Sequence, residues 1–374
     1  MPADLLKGIR VVELGQYIPA PFAALQLADL GADVVKIEPP AGDPMRHLGA
    51  ARADGVSAAY AALNDGKRIV LADLKSAEGQ AHAQALVAAA DVLLESFRPG
   101  VLARLGLGRD DLARLNPRLI HCALSGYGQN GPLARAAGHD IGYMAAGGGL
   151  ARLGTADRPV SGRLPISDYA SGQQAALSIA AALLRRERTG QGCFIDIAMT
   201  DVMLSWQAAD LAEASIAPPA ARGEGSIDGG AAGYNIYRAA CGGFIALGAL
   251  EPAFWGNFCA AIGRADLVAR HDDPLPQIQL VDELKALFLT RSALEWEERL
   301  GAADCCFQRL LETADIPAFP QFGARQMIRH RQDDTVAVSY PAWIDQAPAQ
   351  ERRLPWREVG LPEALARWAP LSEA

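Results

Sequence analysis

Two short runs rich in β-branched residues, Ile9–Leu14 (IRVVEL) and Asp33–Glu38 (DVVKIE), bracket a helical stretch, Phe22–Leu30, that is entered through Pro19 and Pro21. Strand, helix, strand within about 30 residues is a βαβ unit. It commits the chain to parallel strands, because the crossover helix returns the chain in the same direction and covers a sheet face. The alternation continues. Arg68–Leu74 reads as a strand, Ser76–Ala90 as a helix with Ser76 as N-cap, and Asp91–Glu95 as a strand. Asp110–Leu115 reads as a short helix and Arg118–Leu124 as a further strand. An α/β layer architecture follows. A long helix is expected over Tyr169–Glu187, with Asp168 placed to cap it, then a strand, Cys193–Ile197, and a helix, Met199–Ala214.

The character changes between Pro218 and Gly233, a stretch of Pro, Gly, Ala and Ser that reads as a linker or long active-site loop. Beyond it lie two short strands, Tyr234–Arg238 and Phe244–Leu247, and helical segments over 252–262 and 279–300, the pattern of a smaller α+β domain. The tail, Asp334–Ala374, has weak periodicity. At about 150 residues per domain, 374 residues give two to three domains.

Composition removes several function classes. The net charge of −8 excludes a generally basic nucleic-acid footprint. The longest apolar stretch, Ala175–Leu184, is about half the ~20 residues of a membrane span, and the N-terminus lacks signal-peptide features, so a cytoplasmic protein without membrane partners is expected. The six cysteines show no ligand or disulfide spacing, and no metal is expected. Gly126-Tyr127-Gly128-Gln129-Asn130-Gly131 matches a dinucleotide-binding fingerprint, but Pro132 follows at once and no helix opens there. It is read as a Gly-rich loop at a strand's carboxyl end, which is still where open α/β sheets hold ligands.

Acid/base candidates lie at turns: His139 and Asp140 in a Gly-His-Asp turn, Asp168 after Pro165, and Glu251 before Pro252. Each is also explained by a helix cap or a solvated turn, and spacing alone does not bring them together.

Longer motifs carry a resemblance. Leu6–Glu13 (LKGIRVVE), Ala28–Lys36 (ADLGADVVK), Phe97-Arg98-Pro99-Gly100 and Leu124–Pro132 (LSGYGQNGP) resemble the family III CoA-transferase (CaiB/BaiF) superfamily over nearly the whole chain. That superfamily includes CoA-transferases and α-methylacyl-CoA racemases. Gly138-His139-Asp140 and Ala249-Leu250-Glu251-Pro252 are similar to the racemase branch. The resemblance implies a Rossmann-like large domain over 1–200 and 330–374, and a small α+β domain, with the linker, over 201–329. It also implies an interlocked-ring homodimer with the site between the large domain of one chain and the small domain of the other. His139, Asp168 and Glu251 would be the acid/base groups. Lys75, Arg98, Arg104 and Ala72 would contact CoA, and Tyr143 would flank the thioester. Racemases often place an arginine after the second strand, where this chain has Glu38-Pro39-Pro40; Arg46 is the candidate replacement.

The expected reaction is racemisation at the α-carbon of a 2-methylacyl-CoA through a planar enolate. It needs a base on one face, an acid on the other, a donor for the enolate oxygen (a backbone N–H near Asp140), and no cofactor beyond the CoA of the substrate. The alternative is CoA transfer between carboxylic acids with Asp140 as nucleophile. A binding protein without catalysis is the third reading.

Overall fold

The computed structural model describes residues 4–331, 333, 335–348 and 355–368. They form two compact units, drawn from 1–147, 164–206 and 317–374, and from 148–163 and 207–316. Residues 148–163 join the second unit because its side chains hold them. Arg152 pairs with Asp228 at 2.8 Å, and the Arg222 guanidinium donates to the Ala151 carbonyl at 2.9 Å.

The first unit is built on one sheet. Its strands are β1 (Arg10–Leu14), β2 (Asp33–Glu38), β3 (Arg68–Leu71), β4 (Val92–Glu95), β5 (Ile120–Ser125) and β6 (Cys193–Ala198), with a two-residue strand, Arg357–Glu358, at the edge beside β3. Every pairing is parallel. The order from that edge is β3-β2-β1-β4-β5-β6. The chain winds outward from β1 to β3, then returns to the other side of β1 with β4. The fork between β1 and β4 is the switch point at which such sheets open a crevice beyond their carboxyl ends.

The helices of this unit are α1 (Pro19–Asp29), α2 (Ala58–Asn64), α3 (Ala77–Ala89), α4 (Val101–Arg104), α5 (Arg109–Leu115), α6 (Asp140–Ala146), α7 (Ile166–Thr189) and α8 (Met199–Trp206). Ser76 caps α3 as its sequence indicates, accepting from the Gly79 N–H at 3.0 Å. On one sheet face, Val12, Leu14, Val35, Ile37 and Leu93 pack against Ala83, Leu86 and Val87 of α3. At about 25 cal/mol per Å² of apolar surface removed from water, this layer is the main stabilising term.

The other face of the sheet carries a buried network of charges. Glu13 and Lys36, in the middle of central strands, are wholly buried. Lys36 Nζ lies 2.6 Å from Asp43 and 3.3 Å from Glu38, and Lys67 Nζ lies 2.8 Å from Glu13. Asn64 Oδ1 accepts from both lysines, and the Tyr60 hydroxyl donates to Glu38 at 2.7 Å. Charges so buried persist only when every one is paired.

The second unit holds α9 (Ala208–Ala214), an antiparallel sheet of β7 (Tyr234–Arg238), β8 (Phe244–Gly248) and β9 (Phe307–Arg309), and helices α10 (Pro252–Ile262), α11 (Ile278–Phe288) and α12 (Ala293–Leu300). Its core is aromatic, with Trp255, Phe258, Phe288 and Trp296 buried together. Two expected helices are broken. Met199–Ala214 divides at Gln207, the boundary between the units, and 279–300 divides before Ser292, which opens α12 with a capping box to Glu295. No helix among the described residues is long and apolar enough to cross a membrane.

Candidate active site

Two clefts open at the carboxyl ends of the parallel strands, one on each side of the switch point, and share Leu14, Gln16 and Phe97. The first, about 360 Å³, lies over the ends of β1, β4 and β5 and takes in Arg98, Ser125, His139, Tyr143 and Asp168. The second, about 420 Å³, lies over β1, β2 and β3 and takes in Ala72, Lys75 and Arg104.

The first cleft depends on how α7 begins. The sequence assigns Asp168 to the cap of that helix. In the structure α7 starts earlier, at Ile166, and Asp168 falls within its first turn. The capping is done from outside by Asp140. One oxygen of its carboxylate accepts from the Ser167 N–H and the Ser167 hydroxyl, both at 2.7 Å, and from the Asp168 N–H at 3.3 Å. Amide donors left open at a helix start favour a carboxylate there. Asp168 is thereby released from capping and lines the cleft. Burial, reinforced by the Asp140 charge, pushes Asp168 up to about 7. A carboxyl group so placed exchanges a proton near neutral pH.

His139 is the residue before α6, in extended conformation, with its ring on the cleft and no hydrogen bond to that ring among the described residues. Tyr143 lies one turn further along the same helix. Burial and the neighbouring Tyr127 and Asp168 raise its phenol, and Arg98 opposes them. Arg98 reaches the cleft from the Phe97–Gly100 turn. That turn is fixed by Glu95, which accepts from the Phe97 N–H at 2.7 Å, and by Gly100 at φ 82°, a conformation open to glycine.

The remaining candidates separate. Lys75 and Arg104, both exposed, and buried Ala72 line the second cleft, so two of the expected CoA cations share one groove. Arg46 is engaged in structure. Its guanidinium lies over the rings of Tyr60 and Trp356 and pairs with Glu38 and Glu358, each at 2.7 Å. Glu251 belongs to the second unit. It is the exposed residue before α10, and its side chain makes no capping bond. His139, Asp168, Tyr143 and Arg98 are thus brought to one cleft, and Asp140 stands behind it.

Sequence reasoning passed over three cleft residues. Gln16 and Tyr17 follow β1, with Tyr17 held at φ 61°, strained for a non-glycine residue, and its N–H on Asp43 at 3.5 Å. Ser125 ends β5, and its buried hydroxyl has no partner among the described residues. Strand order, which brings the carboxyl ends of β1, β4 and β5 to one cleft, is the signal that finds them.

An imidazole and a proton-exchanging carboxyl at the switch point of a parallel sheet, with no helix opening from the Gly-rich loop, define an α/β enzyme whose site is not a dinucleotide fold's. Compared with known families, residues 6–357 match CoA-transferase family III, and the chain belongs to that family. It is 37% identical over 325 residues to the alpha-methylacyl-CoA racemase of Homo sapiens, covering 83% of this chain and 79% of that one. It is 34% identical over 339 residues to the succinyl-CoA–D-citramalate CoA-transferase of Chloroflexus aurantiacus, covering 87% and 83%. A solved CAIB/BAIF family protein from Brucella suis superposes with a TM-score of 0.83 at 29% identity, over 97% of this chain and 98% of that one. The seven-stranded parallel sheet with smaller antiparallel sheets agrees with the architecture expected from the motifs.

Proposed function

We propose that the chain racemises or epimerises the α-carbon of a 2-methyl, α-branched acyl-CoA thioester. The observation that carries this is Asp168, a carboxyl raised to about 7 on the same cleft as His139. A base takes the α-proton, and the electrons of the broken C–H bond delocalise onto the thioester oxygen as an enolate. An acid on the opposite face returns a proton to carbon. His139 serves one face and Asp168 the other, and their roles exchange between enantiomers. Such groups each contribute about 10²–10⁴-fold. CoA lies along the second cleft, its phosphates drawn by Lys75 and Arg104, and the reaction uses no further cofactor. Glu251 is retained as an acid/base candidate on resemblance alone. The test is deuterium incorporation from deuterium oxide into a panel of 2-methylacyl-CoAs. Exchange that His139→Ala abolishes supports the reading, and no exchange with any member sinks it.

The second reading is CoA transfer, for which we place the nucleophile at Asp168 in place of the expected Asp140. The Asp140 carboxylate is occupied by three donors. Asp168 is the carboxyl on the cleft, so it, rather than Asp140, would attack the thioester carbonyl and expel CoA thiolate, leaving a mixed anhydride; the thiolate would then attack the aspartyl carbonyl, releasing the acyl group as a carboxylate and leaving an aspartyl-CoA thioester. Hydroxylamine trapping at residue 168 in the presence of an acyl-CoA, with transfer to a free acid, would establish it.

A further inference from the structure

We propose that the Tyr143 hydroxyl donates a hydrogen bond to the thioester carbonyl oxygen and stabilises the negative charge that builds there.

The seat of the ring is the first observation. Tyr143 lies against two glycines from different segments. A Cβ on Gly126 would stand 2.3 Å from its Cε1 and 2.6 Å from its hydroxyl oxygen, and one on Gly138 would stand 2.5 Å and 3.0 Å from the same atoms. Neither glycine has a left-handed φ, so space rather than backbone conformation requires them. Tyr127 meets the ring edge-on, with centroids 5.2 Å apart. The phenol is therefore held in one orientation on the cleft wall.

The hydroxyl is the second observation. Tyrosine hydroxyls withdrawn from water normally find a partner. Those of Tyr60 and Tyr237 do, on Glu38 and on the Ala232 carbonyl, each at 2.7 Å. Tyr143 is 8% exposed as a residue; its hydroxyl makes no hydrogen bond among the described residues and, unlike those of Tyr60 and Tyr237, keeps contact with the solvent of the cleft. Ser125, 7% exposed, lines the same cleft with its hydroxyl equally unpartnered. Two unpaired hydroxyls on one cleft mark a place for a polar ligand atom. Burial and Asp168 keep the phenol protonated, as a donor must be.

The chemistry selects the ligand atom. In proton abstraction the electrons move onto the thioester oxygen as an enolate, and in attack on the carbonyl they move onto the same oxygen as a tetrahedral oxyanion. A fixed donor serves both, keeps its own proton throughout, and acts most strongly where charge develops. The inference rests on acyl-CoA occupying this cleft, common to both readings above, and not on which reaction follows.

The test uses the full chain and pivaloyl-CoA, a thioester without an α-proton. Difference infrared spectra of the bound ligand report the C=O stretch. A band shifted to lower wavenumber in the wild type, and restored toward its solution position in Tyr143→Phe with affinity held within a few-fold, is expected. Turnover of whichever reaction the chain performs should fall by about 10²-fold in kcat in Tyr143→Phe, with KM little changed. Gly126→Ala, which displaces the ring, should match that loss, and the double variant should be no worse than either. Identical bands in wild type and Tyr143→Phe overturn the inference even if α-proton exchange is intact. A shifted band in a chain that exchanges no α-proton supports it while removing the racemase reading. Failure of the chain to bind the thioester overturns both.

Discussion

Asp168 owes its proton affinity to a division of labour with a residue far from it in sequence. Asp140 closes the start of α7 across 27 positions, and Asp168 is left to the cleft. The consequence for stability has a definite sign. Asp168 titrates near 3.9 in an unfolded chain and at about 7 in the folded one. Between those values the folded state holds the proton more tightly, so the contribution of Asp168 to stability is greatest below pH 4 and declines as pH rises to 7. Asp168→Asn removes that decline. It should be more stable than the wild type above pH 7, by on the order of 2–4 kcal/mol in urea denaturation, while losing activity. Asp140→Asn removes the neighbouring charge that helps raise Asp168, so the Asp168 limb of the pH–rate profile should move to lower pH. His139 and Asp168 were legible as candidates from their motifs. The capping by Asp140 was not, because a side chain that closes a helix from another segment leaves no local pattern; a Gly-His-Asp turn and a Pro-Ile-Ser-Asp turn look alike whichever aspartate does the capping.

Among the elements, strands were readable and charges within them were not. DVVKIE announces a strand by its β-branched residues, and β2 occupies those six positions. Nothing in that run tells where its lysine is placed, and Lys36 is wholly buried. Its partners Asp43 and Glu13 come from a loop and from β1, and pairings across elements are invisible to periodicity. The same network reaches the clefts, because Asp43 also holds the strained Tyr17 amide and Glu38 lines the groove of Lys75. Lys36→Met should therefore lose about 3–5 kcal/mol of stability, since it leaves Asp43 buried without its cation and Glu38 with Arg46 alone. Chemical denaturation measures it. Replacing Lys75 and Arg104 by Gln should instead leave the denaturation midpoint unchanged and raise KM for CoA thioesters at low salt, because these exposed cations have only solvent to give up.

At the scale of the whole molecule the helices present apolar groups outward. Leu177 and Leu184, seven positions apart on α7, are 62% and 64% exposed, and Trp206 at the end of α8 is 62% exposed. Leu177 and Leu184 share one face of α7, and an exposed apolar face is surface that association can remove from water. A homodimer is the assembly we propose for them, and sedimentation should return twice the 39.5 kDa chain mass, against a single chain mass if the proposal fails. Of the two to three domains that length allowed, two compact units are found, the first of them discontinuous because the chain leaves it and comes back. That return has a consequence during synthesis. The edge of the sheet is closed by Arg357–Glu358, and the Arg68 guanidinium binds the carbonyl of Ala364, 296 positions downstream. A nascent chain on the ribosome therefore carries β3 as an open sheet edge while all of residues 207–316 are translated. Unpaired parallel edges invite pairing with other chains. A message cut short before codon 357 should yield a product recovered with chaperones or in aggregates, even though the codons for His139 and Asp168 have long been read.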